Sequence, residues 1–225
     1  MSNLFTLSRL TPVRHDRNDG ANNDHPMRRI VRGVASSESE WTPENKFTVR
    51  NTFGQMAHEW KLRDGIDRTE ALVEALDRVD ISGDFCLELG SGTGSVRALL
   101  DAKFKSVVSV DLAYEMLTNF NVPNAELLQG DSSKLPFKSN CVDVCVIVNS
   151  LLFPSEVRRI LKPEGVLVWV STNGDRTPIY LSPKDVNDAI GSDFYGVTAH
   201  CGNGIWSCFS RSKNHFVKFY GDQTA

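Results

Sequence analysis

The chain has 225 residues, of which 40% are hydrophobic and 24% charged, and its formal net charge is −3. That length holds one full α/β domain with little to spare. No apolar run approaches the roughly 20 residues that span a bilayer, and the near-neutral balance gives polyanions no global attraction. A cytoplasmic globular protein is therefore expected. Its five cysteines (Cys86, Cys141, Cys145, Cys201, Cys208) are odd in number and contain no CxxC pair, which fits a reducing compartment and predicts no metal site.

Met1 to Arg17 lacks the apolar core and small-residue cleavage signal of a secretory leader. Residues 1–40 are polar and punctuated, as in Asn18 to Asp24 and Ser36 to Glu40. They are expected to form a disordered extension, too poor in apolar surface to offset the entropy of ordering. Arg28, Arg29 and Arg32 within it read as solvated charge, with nucleic-acid contact as the less favoured alternative. The ordered domain is expected over residues 41–225. Phe53, Met56, Ala57 and Trp60 fall at i, i+3, i+4, i+7 and predict one face of a helix. A second helix is predicted from about Asp67 to Val79, with Leu72, Leu76 and Val79 on one face, and Gly83 ends this helical entry.

Short apolar strands then alternate with helices. Strands are predicted at Phe85–Leu89, Val107–Val110, Glu126–Leu128, Val142–Val148 and Val166–Val170. Helices are predicted after Gly94, around Met116 and Leu117, and from Ser155 to Leu161, where Pro163 stops the last. Strands apolar throughout and separated by helices indicate a parallel sheet covered on both faces, a doubly wound α/β fold. A short helix from about Ser182 to Ile190 precedes two further predicted strands, Ile205–Phe209 and Phe216–Tyr220. Their short link permits only an antiparallel hairpin.

The central motif is Glu88-Leu89-Gly90-Ser91-Gly92-Thr93-Gly94 at a strand-to-helix junction. Glycines there let the backbone turn sharply and approach a ligand closely. A lone glycine triplet is a weak signal, and the carboxylates at the neighbouring strand ends sharpen it. Asp111 ends the second of these strands, where an acid can accept both hydroxyls of a ribose. Asp131 follows the third, within reach of a base amine, and Glu88 stands beside the first glycine. A dinucleotide pyrophosphate prefers GxGxxG without an adjacent acid; here the spacing is GxGxG with Glu88 alongside, and no GxxxxGK loop is present. An acidic, phosphate-free site favours S-adenosylmethionine (SAM), which carries a sulfonium and an ammonium, over a nicotinamide dinucleotide.

The runs LELGSGTG, VVSVDLA, LLQGDSSKLPF, VDVCVIVNSLLF and VRRILKPEGVLVWV together resemble the successive motifs of the class I SAM-dependent methyltransferases. The resemblance covers roughly residues 53–172. It implies a Rossmann-like, seven-stranded, mostly parallel sheet with an antiparallel last strand. It also implies that Glu88, Gly90 and Gly92 hold the methionine moiety of SAM, with Ser91 a further cofactor-binding residue, and that Asp111 holds the ribose. Leu112 would pack near the adenine, Asp131 and Ser132 would contact the adenine edge, and Asn149 would line the cleft. Glu164 departs from the family's usual glycine, and the short segment between Asn149 and Arg158 implies a reduced pocket wall.

No residue is assigned as catalytic. His58 is the histidine best placed for a general base, though a surface role is favoured, and nothing converges on His200 or His215. Phe53, Met56 and Trp60 are candidates for an apolar lid, while Asn149-Ser150 and Thr172-Asn173 could orient an acceptor. No Asn-Pro-Pro-aromatic motif follows the fourth strand, which disfavours base-amine or glutamine-amide methylation of that type. Three readings follow: a small-molecule methyltransferase, a tRNA-modifying methyltransferase, and a SAM-binding partner subunit without transferase activity.

Overall fold

The computed structural model describes residues 3–14, 25–61 and 66–220. Its elements in chain order are β1 (Leu4–Thr6), α1 (Pro26–Ser36), α2 (Pro43–Lys61), α3 (Ile66–Arg78), β2 (Phe85–Leu89), α4 (Arg97–Lys103) and β3 (Ser106–Asp111). Then follow α5 (Tyr114–Thr118), β4 (Glu126–Gln129), β5 (Val142–Val148), α6 (Pro154–Ile160), β6 (Leu161–Ser171), α7 (Pro183–Ile190), β7 (Tyr195–Cys201), β8 (Gly204–Ser210) and α8 (Val217–Tyr220).

The strands form one sheet in the order β1-β7-β8-β6-β5-β2-β3-β4. Only β8 runs against its neighbours, β6 and β7; every other pairing is parallel. The β-branched runs of β5 and β6 lie centrally because stiff, branched side chains suit a pleated surface buried on both sides. Val166 to Ser171 are all buried. Alternation along the strands divides the core. Leu87, Leu89, Cys145, Ile147, Leu167 and Trp169 point to the face covered by α1, α6 and α7. Cys86, Val144, Val146, Val166 and Val168 meet Leu72, Leu76 and Leu100 of α3 and α4 on the other. The strand order reverses between β2 and β5, so the chain leaves their carboxyl ends in opposite directions and opens a crevice there.

The doubly wound α/β fold is as the sequence indicates, with three corrections in detail. Among the described residues the sheet has eight strands where seven were expected, because β1 adds a parallel edge to β7 with Leu4 opposite Gly196. The hairpin sits one element earlier than expected: β7 and β8 turn at Gly202 (φ 54°), and residues 213–220 are helical. A Gly-Asn pair is a hairpin signal, and Cys201-Gly202-Asn203-Gly204 carries it. Pro163 does not follow the helix as a bare stop; it lies in the first half of β6, where the register against β5 shifts between Val142 and Val144.

The expectation of a disordered extension over residues 1–40 is also corrected for its described parts, while Asn18 to Asp24 lie outside the described residues. Met27, Ile30, Val31, Val34 and Ala35 repeat at helical spacing and are buried in the main core, so α1 has an apolar stripe that its polar neighbours mask in composition. Arg28 is buried rather than solvated. It donates to the carbonyls of Asp175 and Thr177 (2.9 Å to the latter) and lies over the Tyr180 ring. Arg29 and Arg32 remain exposed. The five cysteines are free, and four of them are buried.

Candidate functional site

The turn after β2 is possible only for glycine at its key positions. Gly90, Gly92 and Gly94 have φ of 70°, 55° and 88°, a region that costs other residues energy. A Cβ on Gly90 would stand 1.9 Å from Ser150 Oγ. Backbone bonds fix the loop to the next strand: the Gly90 and Ser91 amides donate to the Val110 carbonyl at 2.8 and 3.0 Å. Asp111, at the end of β3, completes the tie by accepting from the amides of Gly92 and Ala113, both at 2.8 Å. Burial pushes the Asp111 carboxyl up to about 6, although these two amides favour its charged form.

Glu88 is buried on the α4 side of the sheet, where Ser109 donates to its carboxylate. Burial drives its pKa up to about 7 against the Ser109 hydrogen bond and the Arg97 charge. Arg97 is itself 2% exposed and is held by Asp101, Ser109 and Glu126. Asp131 behaves differently. Burial raises it, but Lys46 at 2.7 Å, Ser133 and the Trp41 indole outweigh burial and hold its carboxyl below the usual range. Asn149 adopts φ 49°, uncommon for a residue with a side chain. Its amide bridges β5 to the end of β6, donating to Thr172 Oγ1 at 2.7 Å and accepting from the Thr172 amide at 3.0 Å.

One cleft of about 930 Å³, counting solvent at its mouth, brings these groups together. Glu88, Gly90, Ser91, Gly92, Asp111, Leu112, Asp131, Ser132 and Asn149 all line it. Phe53 and Trp60 line it as well, packed edge to face at 6.0 Å. Ser150 and Thr172 also reach it, whereas Met56 and Asn173 do not. His58 is exposed on α2 and faces elsewhere. The ring nitrogens of His215 lie 2.8 Å from the carbonyls of Asp80 and Glu164, and His215 does not line the cleft.

Sequence reasoning missed the opposite wall, made by Trp41, Val49, Arg50, Leu151, Phe153 and Ile179. The wall that seemed reduced by the short segment after Asn149 is filled by Phe153, with Trp41 set edge-on against it at 5.2 Å. One signal was present. Lys46, Arg50, Phe53, Ala57 and Trp60 repeat at 4-3-4-3 spacing, so a single stripe of α2 carries the Asp131 partner, a cleft arginine and the aromatic pair. Among the described residues no cluster of His, Cys, Asp or Glu could hold a metal ion, and no helix is long and apolar enough to cross a membrane.

Residues 87–169 match the family model described as a methyltransferase domain. The malonyl-[acyl-carrier protein] O-methyltransferase of Methylovorus sp. (strain MP688) is 26% identical over 153 residues, covering 58% of this chain and 52% of that protein. The chain thus spans about half the length of curated relatives it matches. Among solved structures, the complex between the Haloferax volcanii Trm112 methyltransferase activator and a methyltransferase superposes with TM-score 0.56 at 18% identity, covering 71% of this chain and 97% of that one. The DhpI–SAH complex superposes with TM-score 0.56 at 19% identity, covering 71% and 93%. At these identities the structural matches show a shared fold.

Proposed function

We propose that the chain is a class I SAM-dependent methyltransferase, with its matched methyltransferase domain at residues 87–169, and that it binds SAM and methylates a small-molecule acceptor. The observation that carries this reading is the convergence of all nine anticipated residues, drawn from the ends of four parallel strands, on one cleft. The donor set suits the ligand. Ser91 Oγ is buried in the cleft wall without a hydrogen-bond partner among the described residues, so a polar ligand atom would satisfy it. Glu88 and Asp111, held up near 7 and 6 by burial, would ionise more readily beside a cationic ligand and would repel a pyrophosphate.

In this reading Glu88, Gly90, Ser91 and Gly92 take the methionine end. Asp111 takes the ribose hydroxyls with lone pairs left over from the two amides. Leu112, Asp131 and Ser132 take the adenine. When bound, SAM supplies a methyl group made electrophilic by its sulfonium. The protein's part is to fix the acceptor in line and exclude water, which the aromatic wall of Trp41, Phe53, Trp60 and Phe153 is suited to do. Asn149 positions rather than binds, since its amide is engaged with Thr172. Burial of Arg28 removes one of the three arginines on which nucleic-acid contact would rest.

Calorimetric titration with S-adenosylhomocysteine, SAM and NAD tests the reading. The two adenosyl-sulfur ligands are expected to bind wild type and to lose affinity with Asp111→Ala, while NAD does not bind. Binding of NAD alone would replace this function with an oxidoreductase reading, and binding of none would leave a partner-subunit role.

A further inference from the structure

The acceptor half of the cleft has a composition of its own. The nucleotide half is walled by the ends of β2, β3 and β4 and takes all three carboxylates that line the cleft, Glu88, Asp111 and Asp131. The facing half, from α2, the segment after β5 and the segment after β6, is apolar except for hydroxyl and amide groups and one guanidinium, Arg50. Arg68, the other cation of the lining, is stacked over the Trp60 ring at 4.8 Å. Arg50 is exposed at the cleft and makes no ion pair among the described residues.

Two facts then constrain the acceptor. First, no histidine, cysteine, tyrosine or lysine lines the cleft among the described residues. The carboxylates that do line it, Glu88, Asp111 and Asp131, stand on the nucleotide half, and on the SAM reading they face the cofactor rather than the acceptor. A nucleophile that must shed a proton therefore meets no free base, so the group that suits the site arrives already ionised at neutral pH. Second, on the SAM reading above, on which this inference rests, Arg50 and a sulfonium face one cleft. The three carboxylates of the lining stand on the nucleotide half, so an acceptor anion placed between Arg50 and the sulfonium would be attracted by both.

We propose that the acceptor is a carboxylic acid with an apolar body, drawn in by Arg50 and methylated on its carboxylate. The body packs among Val49, Phe53, Phe153 and Ile179. A carboxylate oxygen's lone pair forms the new O–CH3 bond as the methyl–sulfur bond breaks, with that bond's electron pair remaining on sulfur. One negative and one positive charge are lost together, the products are a methyl ester and a thioether, and no proton moves.

The test measures binding before turnover. With the protein saturated in S-adenosylhomocysteine, calorimetry compares 4-phenylbutyrate, octanoate and decanoate, each against its primary amide. At least one acid is expected to bind about tenfold or more tightly than its amide. Arg50→Gln should abolish that preference and Arg50→Lys should keep part of it, with S-adenosylhomocysteine affinity unchanged in both. Acids and amides binding alike, or a preference that survives Arg50→Gln, overturns the proposal. With the preferred acid and methyl-labelled SAM, the product should release its label as methanol in mild alkali; an alkali-stable product overturns carboxylate methylation. Failure of S-adenosylhomocysteine to bind wild type would sink the cofactor reading itself, whereas its binding without acid discrimination sinks only this inference.

Discussion

The two walls of the cleft are built from different materials. The strand-end wall is mostly backbone and buried charge: positive-φ glycines, amides that tie Asp111 to the loop, and Glu88 over Ser109 and Arg97. The helical wall is side chain, brought together from α2, from residues 149–153 and from residues 172–179, and backed by α1. The first is fixed by covalent geometry and leaves little room for substitution. The second is fixed by packing between segments remote in sequence, and can change its acceptor without disturbing the fold.

The largest break should come from the strand-end wall. Gly90→Ala forces a Cβ toward Ser150 at a φ that alanine resists. It should weaken S-adenosylhomocysteine binding by about 100-fold, roughly 3 kcal/mol. The double variant Gly90→Ala with Ser150→Gly should recover part of that loss by removing the clash and leaving only the strain. No recovery would mean that the steric account is wrong.

The helical wall should break separately. Arg28→Met strips the donor from the Asp175 and Thr177 carbonyls, which precede Ile179 in the cleft. A loss of about 2–4 kcal/mol in stability is expected, with weaker acceptor binding and S-adenosylhomocysteine affinity within about twofold of wild type. A parallel fall in both affinities would show that the two walls are not independent.

A subtler difference lies in pH. Glu88 and Asp111 are held near 7 and 6, above their ordinary 4.5 and 3.8. The folded state therefore binds more protons than the unfolded one across that window. Their contribution to stability is complete below the ordinary values and is lost as pH rises through 6 and 7. The ligand-free protein should melt highest near pH 5 and lose on the order of 2 kcal/mol by pH 8. Glu88→Gln should flatten most of that fall in scanning calorimetry. Carboxyls held below their usual range, such as Asp143, Glu156 and Asp193, act oppositely and only at more acidic pH. The smallest effect is expected at His58, exposed and outside the cleft: His58→Ala should leave turnover within about twofold.

This contrast also explains what the sequence made legible. The glycine loop and Asp111 are local motifs whose spacing follows from a strand, a turn and a strand, so they can be read before any contact is known. Trp41, Val49 and Phe153 have no such signature, because their meeting depends on how α2 lies across the sheet. Composition misled at residues 26–36, where Met27, Ile30, Val31, Val34 and Ala35 are interleaved with arginines and follow a polar stretch. Periodicity would have found that helix; average polarity hid it. The β7–β8 hairpin was misplaced because β7 begins Tyr195-Gly196 and carries His200, which dilute its apolar run, while its Gly-Asn turn went unread.

The short edge strand β1 bears on the order of assembly. It pairs with Gly196 to Thr198 of β7, and Arg9 donates to the Gly202 carbonyl across a separation of 193 residues. During synthesis β1 therefore leaves the ribosome long before its partner strand β7. The loop it closes is long, so its docking is entropically expensive and slow to nucleate. The central strands can pair without it, which makes the edge strand the final seam of the sheet to be sewn rather than its seed.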